Sequence, residues 1–426
     1  MRLAVFTSWY PARITTFFER DMRALLDAGV DLEVFAIAPL DPSMWKHSMD
    51  LLSPKHLPRN RVHHLTIGKA VTGALPTVAR NPFISLRDLV RVLPAAARKG
   101  RVVFAKTAYV FPKAWAWAER FADRYDHVLA YWGNYAGTCA YAFHRLAQAR
   151  AKRRIPFSLW LHAGIDLYAT PPFLQEKVEY ADNIITCCEF NQRYIARAFP
   201  RVAGKVHVCH HGLDLARFPY RATERADNRI LAVGRLRKYK GFDYLVRAAA
   251  LLAQRGRGDF TLELIGDGDE RDALSKLAAE LGIADRLRLR GWLSFPEVVK
   301  AMSEATVLVH PSEGLGDGLP NVVREAMAIG TPVIGSDIAG IPDALRDGCG
   351  VLVPPRDVPA LATALEQLLA DPQRRRDMAA RARDRAAERY DLWRNGARLA
   401  SLLTQTRRAP TQASLSMSLT EPSPLC

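Results

Sequence analysis

The chain has 426 residues, of which 49% are hydrophobic and 24% charged; this is an ordinary globular composition, too long for one core, so two domains are expected. No apolar run reaches the length of a membrane span, and residues 1–8 read as a short strand, not a secretory leader. Six cysteines without a CxxC pair, two of them the adjacent Cys187 and Cys188, point to reduced thiols in a cytosolic protein, while a net charge of +16 asks for an anionic partner or a solvated basic face.

In chain order, residues 3–7 read as a strand, 17–28 as an amphipathic helix stopped by Gly29, and 30–38 as the next strand. A basic segment then intervenes. From Lys55 to Lys113 there are twelve Lys or Arg and one acid, Asp88, together with Phe83, Phe104, Phe111, Trp115 and Trp117. Cations mixed with exposed aromatics suit an anionic membrane surface. Nucleic acid fits less well, since no nucleic-acid motif accompanies the charge; a solvated Arg-rich face is the plain alternative. Strands resume at 127–131, 157–162, 183–187 and 206–209, with helices such as 139–150 and 189–199 between them.

A polar linker follows at 219–228. Beyond it strands fit at 229–233, 260–265, 287–289, 307–310, 333–336 and 350–353. Helices fit at 242–254, 270–281, 295–304, 322–329 and 358–370, then a charged helix at 371–389 and an amphipathic one at 391–403. From residue 404 the Ser, Thr, Pro and Gln content reads as a disordered tail. Strand–helix alternation in both halves predicts an α/β chain with two doubly wound parallel sheets. Ligands bind such sheets at the strand C-termini, and two of them would enclose a cleft.

Residues 306–336 carry the most chemistry. An apolar run, a Gly/Pro-rich turn, a helix and a second apolar run form a βαβ unit. Asp317 and Glu325 have seven residues between them and bracket the helix start. Asn321 is expected to cap the helix, with Pro320 fixing its entry. Glycines before a helix N-terminus leave backbone N–H groups free for an anion. A carboxylate one turn further can accept two hydrogen bonds from a vicinal diol. Phosphate plus diol describes a nucleotide.

Six segments, in order, resemble glycosyltransferases of the GT-B fold, specifically family 4, and within it the branch that builds bacterial exopolysaccharide, capsule and lipopolysaccharide. They are Tyr10-Pro11-Ala-Arg-Ile-Thr15-Thr16-Phe17, Leu161-His162-Ala-Gly-Ile-Asp166-Leu-Tyr168, Ala181-Asp-Asn-Ile-Ile-Thr-Cys-Cys-Glu189-Phe, His210-His-Gly212-Leu-Asp214-Leu-Ala-Arg-Phe218, Val233-Gly234-Arg235-Leu-Arg-Lys-Tyr-Lys240-Gly241, and the 306–336 unit. The resemblance covers nearly the whole chain and is strongest from Ile230 to Pro354. It implies two Rossmann-like domains facing a central cleft: an acceptor-side domain at 1–218 with a basic insert near 45–120, and a nucleotide-sugar domain at 219–389. It also implies a helix at 390–403 packing back on the first domain, before the tail at 404–426.

For the site, the resemblance implies that Arg235 and Lys240 hold the donor diphosphate, near Gly234 and Gly266. Cations preorganised on a leaving group that gains charge stabilise the transition state most. A surface Lys/Arg pair is the plain alternative. Glu325 matches the second glutamate of the Glu-x7-Glu motif and is implied to bind ribose. Asp317 stands where the family usually has Glu and is implied to meet the donor-sugar hydroxyls, with Glu313 a rival of the wrong spacing. Gly318, Leu319 and Pro320 would offer backbone groups. His162 is implied to contact the sugar near its anomeric carbon.

Three departures stand out. Ala163 is inserted in the family's His-Gly-x-Asp, putting Asp166 one residue farther on, in support of the local fold or the acceptor site. Paired glycines are missing after the first strand, where Arg13 and Thr16 are candidates for phosphate or acceptor. Thr15 replaces the usual Glu. Asp267-Gly-Asp269 is read as a nucleotide-domain turn, so no metal and no cofactor are expected beyond the nucleotide-sugar donor.

The expected activity is retaining hexosyl transfer from a nucleotide-sugar to a hydroxyl of a lipid-linked saccharide in cell-surface polysaccharide synthesis, without nucleic acid. The expected location is cytoplasmic, peripheral on the inner face of the plasma membrane. The rivals are a nucleotide-sugar epimerase of the same fold, a phosphorylase lacking its pyridoxal lysine motif, and a non-catalytic saccharide- or membrane-binding homologue.

Overall fold

In the computed structural model, which describes residues 1–11, 16–40, 57–151, 153–221 and 228–408, two all-parallel sheets are flanked by helices. The first has the strands β1 (Arg2–Thr7), β2 (Asp31–Ala36), β3 (Val62–His63), β4 (His127–Ala130), β5 (Phe157–Leu161), β6 (Asn183–Thr186) and β7 (Val206–Val208), in the order β3-β2-β1-β4-β5-β6-β7. The second has β8 (Arg229–Val233), β9 (Thr261–Ile265), β10 (Leu287–Gly291), β11 (Val307–His310), β12 (Val333–Ser336) and β13 (Val351–Val353), in the order β10-β9-β8-β11-β12-β13. Helices cover both faces of such sheets, so central strands are near-continuous apolar runs. β1, β4, β5 and β11 follow this rule, with every residue buried apart from Arg2.

Chain direction across each sheet reverses between β1 and β4, and between β8 and β11. The strand C-termini beside these reversals open a crevice. The loop after β5 meets the loop after β11 there, where a Cβ on Gly164 would lie 3.3 Å from the Gly316 carbonyl oxygen. The halves are also joined by main chain. Leu213 N–H donates to the Tyr390 carbonyl at 2.6 Å, and Leu392 N–H to the Leu213 carbonyl at 3.0 Å. Gly212 permits this approach, since a Cβ there would lie 2.3 Å from Leu392 Cα.

The basic segment is organised as three helices, Ile67–Arg80, Pro82–Ala97 and Arg101–Phe121. Phe111, Trp115 and Trp117, expected to be exposed, are buried. The second half of the Arg101–Phe121 helix covers the sheet, with the Trp117 ring 5.3 Å from Phe35 and 6.0 Å from Phe6. Lys113 is fully buried as well, its ammonium donating to the Ile37 and Leu65 carbonyls at 2.6 Å each.

The last helix, Leu392–Arg408, returns to the first half, where a Cβ on Gly396 would collide with Ala24 of the Thr16–Asp27 helix. It runs past residue 403, the expected end. Leu403 is fully buried, and Thr404 and Thr406 satisfy their hydroxyls on carbonyls one turn back at 2.8 Å each. The rest of the expected tail, residues 409–426, lies outside the described residues, as do Arg13, Thr15, the side chain of Thr16, residues 41–56 of the insert and residues 222–227 of the linker.

Candidate active site at the interdomain cleft

On the C-terminal side, the turn after β8 is built on glycines that no other residue could replace. Gly266 has φ +127°, and a Cβ there would lie 2.0 Å from the Gly234 carbonyl oxygen; Gly241 has φ +69°, and its Cβ would lie 2.1 Å from the Pro311 carbonyl oxygen. This close packing carries Lys240 to the loop after β11. Lys240 Nζ sits 2.6 Å from Asp317 Oδ1, while His310 Nε2 sits 3.0 Å from Asp317 Oδ2.

The three groups form a nearly buried unit. Burial opposes ionisation of Asp317, but the His310 hydrogen bond and the Lys240 charge outweigh it and hold the carboxyl well below the usual range. His310 is pushed down by burial, partly offset by its bond to Asp317. Of the neighbouring cations, Arg237 pairs with Asp269, and Lys238 with Asp243 at 2.7 Å. Arg235 is exposed and makes no ion pair among the described residues. The rival Glu313 is occupied elsewhere, accepting from Tyr244 Oη at 3.0 Å and Arg356 Nε at 2.8 Å.

The helix Asn321–Ile329 begins after Pro320 without a side-chain cap. Asn321, expected to cap it, instead accepts from Arg324 through Oδ1. Its own position explains this: it is the first helical residue, one place too late to cap. Leu319 is buried, and the Gly318 carbonyl accepts from Gly340 N–H at 2.9 Å. Glu325 Oε1 lies 3.0 Å from Arg20 Nη2 of the N-terminal half. Arg324, almost wholly buried, reaches the same half by donating to the His211 carbonyl.

His162 follows β5 on the opposite wall. Asp166 Oδ2 accepts from His162 N–H, and Oδ1 from Ala163 N–H, both at 3.0 Å; His162 Nδ1 lies 3.4 Å from Oδ2. The inserted Ala163 is therefore absorbed by the single turn Gly164–Asp166, and Asp166 folds back under His162. The imidazole is parallel to His211, centroids 5.0 Å apart and planes within 5°, and lies 4.3 Å from Trp132. Across the cleft, a Cβ on Gly318 (φ +57°) would lie 3.3 Å from the His162 carbonyl and 3.0 Å from Ala163 Cβ.

Sequence reasoning passed over several neighbours. Asp21 Oδ2 is 2.6 Å from His211 Nδ1 and accepts from Tyr131 Oη at 2.5 Å. Burial works against a charge on His211, but Asp21 raises its pKa. The segment from His210 to Phe218 was a visible signal for His211; Arg20 and Asp21 carried none. Four buried nitrogens around this cleft have no hydrogen-bond partner among the described residues: Arg20 Nη1, His162 Nε2, His310 Nδ1 and Arg324 Nε. Buried polar atoms are nearly always paired, so their concentration here marks a place that receives polar groups.

Comparison with known proteins bears on the family and the fold. Residues 219–385 match the family model Glycosyl transferases group 1. The GDP-mannose-dependent alpha-(1-6)-phosphatidylinositol monomannoside mannosyltransferase of Mycolicibacterium smegmatis is 30% identical over 283 residues, 62% of this chain and 73% of that protein. The chain belongs to the group 1 glycosyl transferases. The amylovoran biosynthesis glycosyltransferase AmsK of Erwinia amylovora aligns over 390 residues at 26% identity, 86% of this chain and 90% of that protein. Similarity to the alpha-D-kanosaminyltransferase of Streptomyces kanamyceticus is 36% over 174 residues but spans only 41% of this chain and 44% of that protein. The crystal structure of Anabaena HepE in complex with UDP-glucose superposes with a TM-score of 0.66 at 19% identity, over 95% of this chain and all of that one. The two facing parallel sheets are thus the GT-B arrangement.

Proposed function

We propose that this group 1 transferase moves a hexose, with retention of configuration and without a metal ion, from a nucleoside diphosphate sugar to a hydroxyl of a lipid-linked saccharide in cell-surface polysaccharide synthesis. The observation that carries the reading is the pairing of Asp317 with Lys240 beside the start of the helix that bears Glu325, facing His162 across the cleft. The relatives' names supply the substrate class: one is GDP-mannose-dependent, one belongs to amylovoran biosynthesis, and HepE binds UDP-glucose.

In this reading Lys240 and Arg235 hold the diphosphate and stabilise the charge it gains as the glycosidic bond breaks. A cation paired with a carboxylate can turn to a phosphate while Asp317 turns to the sugar hydroxyls. Glu325 accepts from the ribose diol. His162 Nδ1 faces Asp166, which orients the ring and leaves Nε2 for a sugar hydroxyl. The two lysine and arginine charges do what a divalent ion would do on the diphosphate, so no metal is needed. The acceptor hydroxyl attacks from the side of the departing phosphate, which takes its proton. No helix of the described residues is long and apolar enough to cross a membrane; the proposed location, peripheral on the cytoplasmic face of the plasma membrane, rests on the basic segment and its exposed apolar residues.

The test is a screen of UDP-, GDP- and dTDP-sugars by thermal shift and by release of nucleoside diphosphate, with and without chelator. One nucleotide should raise stability by about 2.7 kcal/mol at a hundredfold excess over Kd, and its sugar derivative should be hydrolysed slowly without acceptor. If no nucleotide binds and no donor is turned over, the transferase reading is wrong. Hydrolysis abolished by chelator would overturn metal independence alone.

A further inference from the structure

The first two helices of the basic segment turn large apolar side chains to solvent. In Ile67–Arg80 the buried positions are Ala70, Ala74 and Thr77, while Ile67, Val71 and Leu75 are 47%, 47% and 63% exposed. In Pro82–Ala97 Ser85, Asp88, Val92 and Ala96 are buried and Ile84, Leu89 and Leu93 pack against the core, while Phe83, Leu86 and Val90 are 87%, 60% and 63% exposed. Each helix thus has a second set of large apolar side chains that face out. Spacings of three and four residues place each exposed set along one side of its helix. Both helices rest on Arg101–Phe121, whose first turn adds exposed Val102 and Phe104. A helix that points its large apolar residues at solvent has its partner outside the fold.

The charge of the same segment identifies the partner. Lys69, Arg80, Arg87, Arg91, Arg98, Lys99, Arg101 and Lys106 are all exposed. The one acid between them, Asp88, is fully buried and paired with Arg145 at 2.5 Å. Arg87 and Arg91 lie one turn apart, alternating with the Leu86 and Val90 positions. A surface offering apolar side chains flanked by cations of a single sign matches an anionic bilayer, where acyl chains take the first and lipid phosphates the second. A protein interface would instead deplete charge around its apolar core and mix signs at its rim.

We infer that the exposed faces of Ile67–Arg80 and Pro82–Ala97 form a docking surface for anionic lipid, with Phe83, Leu86 and Val90 entering the acyl boundary and Arg87 and Arg91 binding headgroup phosphates. The inference deepens the membrane placement proposed above and rests on it. It assigns the contact to the outer faces of the first two helices, and excludes Phe111, Trp115 and Trp117, which are committed to the core.

The test is co-sedimentation of the full chain with vesicles of phosphatidylcholine alone or mixed with phosphatidylglycerol, at low and high salt. The wild type should bind only the mixed vesicles and lose affinity with salt. Replacing Arg87 and Arg91 by Gln should weaken binding about 30-fold, from roughly a fivefold contribution per cation. Replacing Phe83, Leu86 and Val90 by Ser should abolish it, and because all three point to solvent these changes should leave the circular dichroism and the nucleotide-dependent thermal shift intact. Wild-type binding in either variant overturns the inference, as does equal binding to uncharged vesicles. A concentration-dependent dimer in sedimentation velocity that the Ser variant loses would assign the face to a second copy and also overturn it. Intact donor hydrolysis with no vesicle binding sinks the docking surface and leaves the transferase reading standing; the reverse result sinks the latter.

Discussion

Replacement of Lys240 by Met separates the two roles its position suggests. The ammonium and the Asp317 carboxylate are 14% and 11% exposed and 2.6 Å apart. Removing one partner of a buried pair typically costs about 3–5 kcal/mol, because the other charge is left uncompensated. Here His310 still holds Asp317 Oδ2 at 3.0 Å, so the low end, about 3 kcal/mol, applies. For a unit the size of the C-terminal half this lowers Tm by roughly 6–12 °C. Asp317→Asn should cost a similar amount by stranding the lysine. In the double variant Lys240→Met, Asp317→Asn both charges are gone, and most of the stability should return, a coupling of about 2–3 kcal/mol. The rate behaves otherwise. If Lys240 neutralises the leaving diphosphate, kcat/KM falls about a hundredfold or more in the single variant, and removing Asp317 as well restores nothing. Differential scanning calorimetry, together with kinetics on whichever sugar nucleotide the screen identifies, gives both numbers. A double variant that regains the rate along with the stability would show that Lys240 acts only through Asp317 and never meets the donor.

Glu325→Gln keeps the shape of the side chain but loses the charge that pairs with Arg20 at 3.0 Å. UDP or GDP binding, measured by calorimetric titration, should weaken by about 10- to 100-fold, the contribution of a hydrogen bond to a charged acceptor. Unchanged affinity would place the ribose elsewhere. Gly318→Ala puts a side chain at φ +57° and within 3.0 Å of Ala163 Cβ, which should cost about 1–2 kcal/mol and slow transfer. At Gly316 a Cβ would meet nothing within 4 Å, and the same change there is the control; equal effects at both sites would refute the close approach. The buried His127 and His144 have pKa values lowered by desolvation to about 3 and about 4. They stay neutral in the fold but take protons near pH 6.5 when unfolded, so their contribution is complete above pH 6.5 and is lost as pH falls toward 4. From pH 6.5 to 5 this amounts to about 1.6 kcal/mol each. Asp88, raised by burial to about 6 against the Arg145 charge, contributes with opposite sign, roughly 1 kcal/mol over the same interval. The net acid destabilisation from these three groups, about 2 kcal/mol, should appear in melting curves, and less of it in His144→Gln; a Tm flat between pH 6.5 and 5 would contradict it.

Elements whose ends carry a local signal were legible in the sequence to the residue. The helix Phe295–Glu304 starts at Ser294, whose N–H and hydroxyl donate to Glu297 Oε2 at 2.7 and 2.6 Å. Val358–Ala370 starts where Asp357 accepts from Ala360 N–H at 2.9 Å, and Phe242–Gln254 follows Gly241 at φ +69°. Such signals depend on four consecutive residues, and a sequence displays them directly. The contacts that complete the cleft have no local signature. Arg20 meets Glu325 across 305 positions, and Asp21 meets His211 across 190; both residues look like ordinary polar positions on an amphipathic helix. The aromatics of the basic segment failed for a related reason. Composition shows that Phe111, Trp115 and Trp117 lie among cations, but only the sheet beneath Arg101–Phe121 decides that they turn inward. Periodicity alone reads a helix with one apolar side and assigns it to the core, whereas Pro82–Ala97 carries apolar residues on two sides, Val92 buried and Phe83, Leu86 and Val90 exposed.

In the cleft, each carboxylate that the family resemblance assigns to the donor is paired with a cation: Asp317 with Lys240, Glu325 with Arg20. Bare carboxylates in so buried a place would each cost several kcal/mol. With cations already in place, a donor can enter by exchange, its diphosphate taking Lys240 while its sugar hydroxyls take Asp317, and charge stays compensated at each stage. The second pair differs in that Arg20 belongs to the N-terminal half and Glu325 to the C-terminal half. A ribose bound to Glu325 therefore shares its carboxylate with the residue that ties the halves together, and Arg324, next in sequence, makes its own bond across the same gap to His211. If Glu325 binds the nucleotide as proposed, nucleotide binding and the contact between the halves depend on one pair of adjacent helix residues. On the proposed reading that arrangement requires no separate signalling element: the helix whose Glu325 would bind the ribose is also the one that contacts the N-terminal wall through Arg20 and His211.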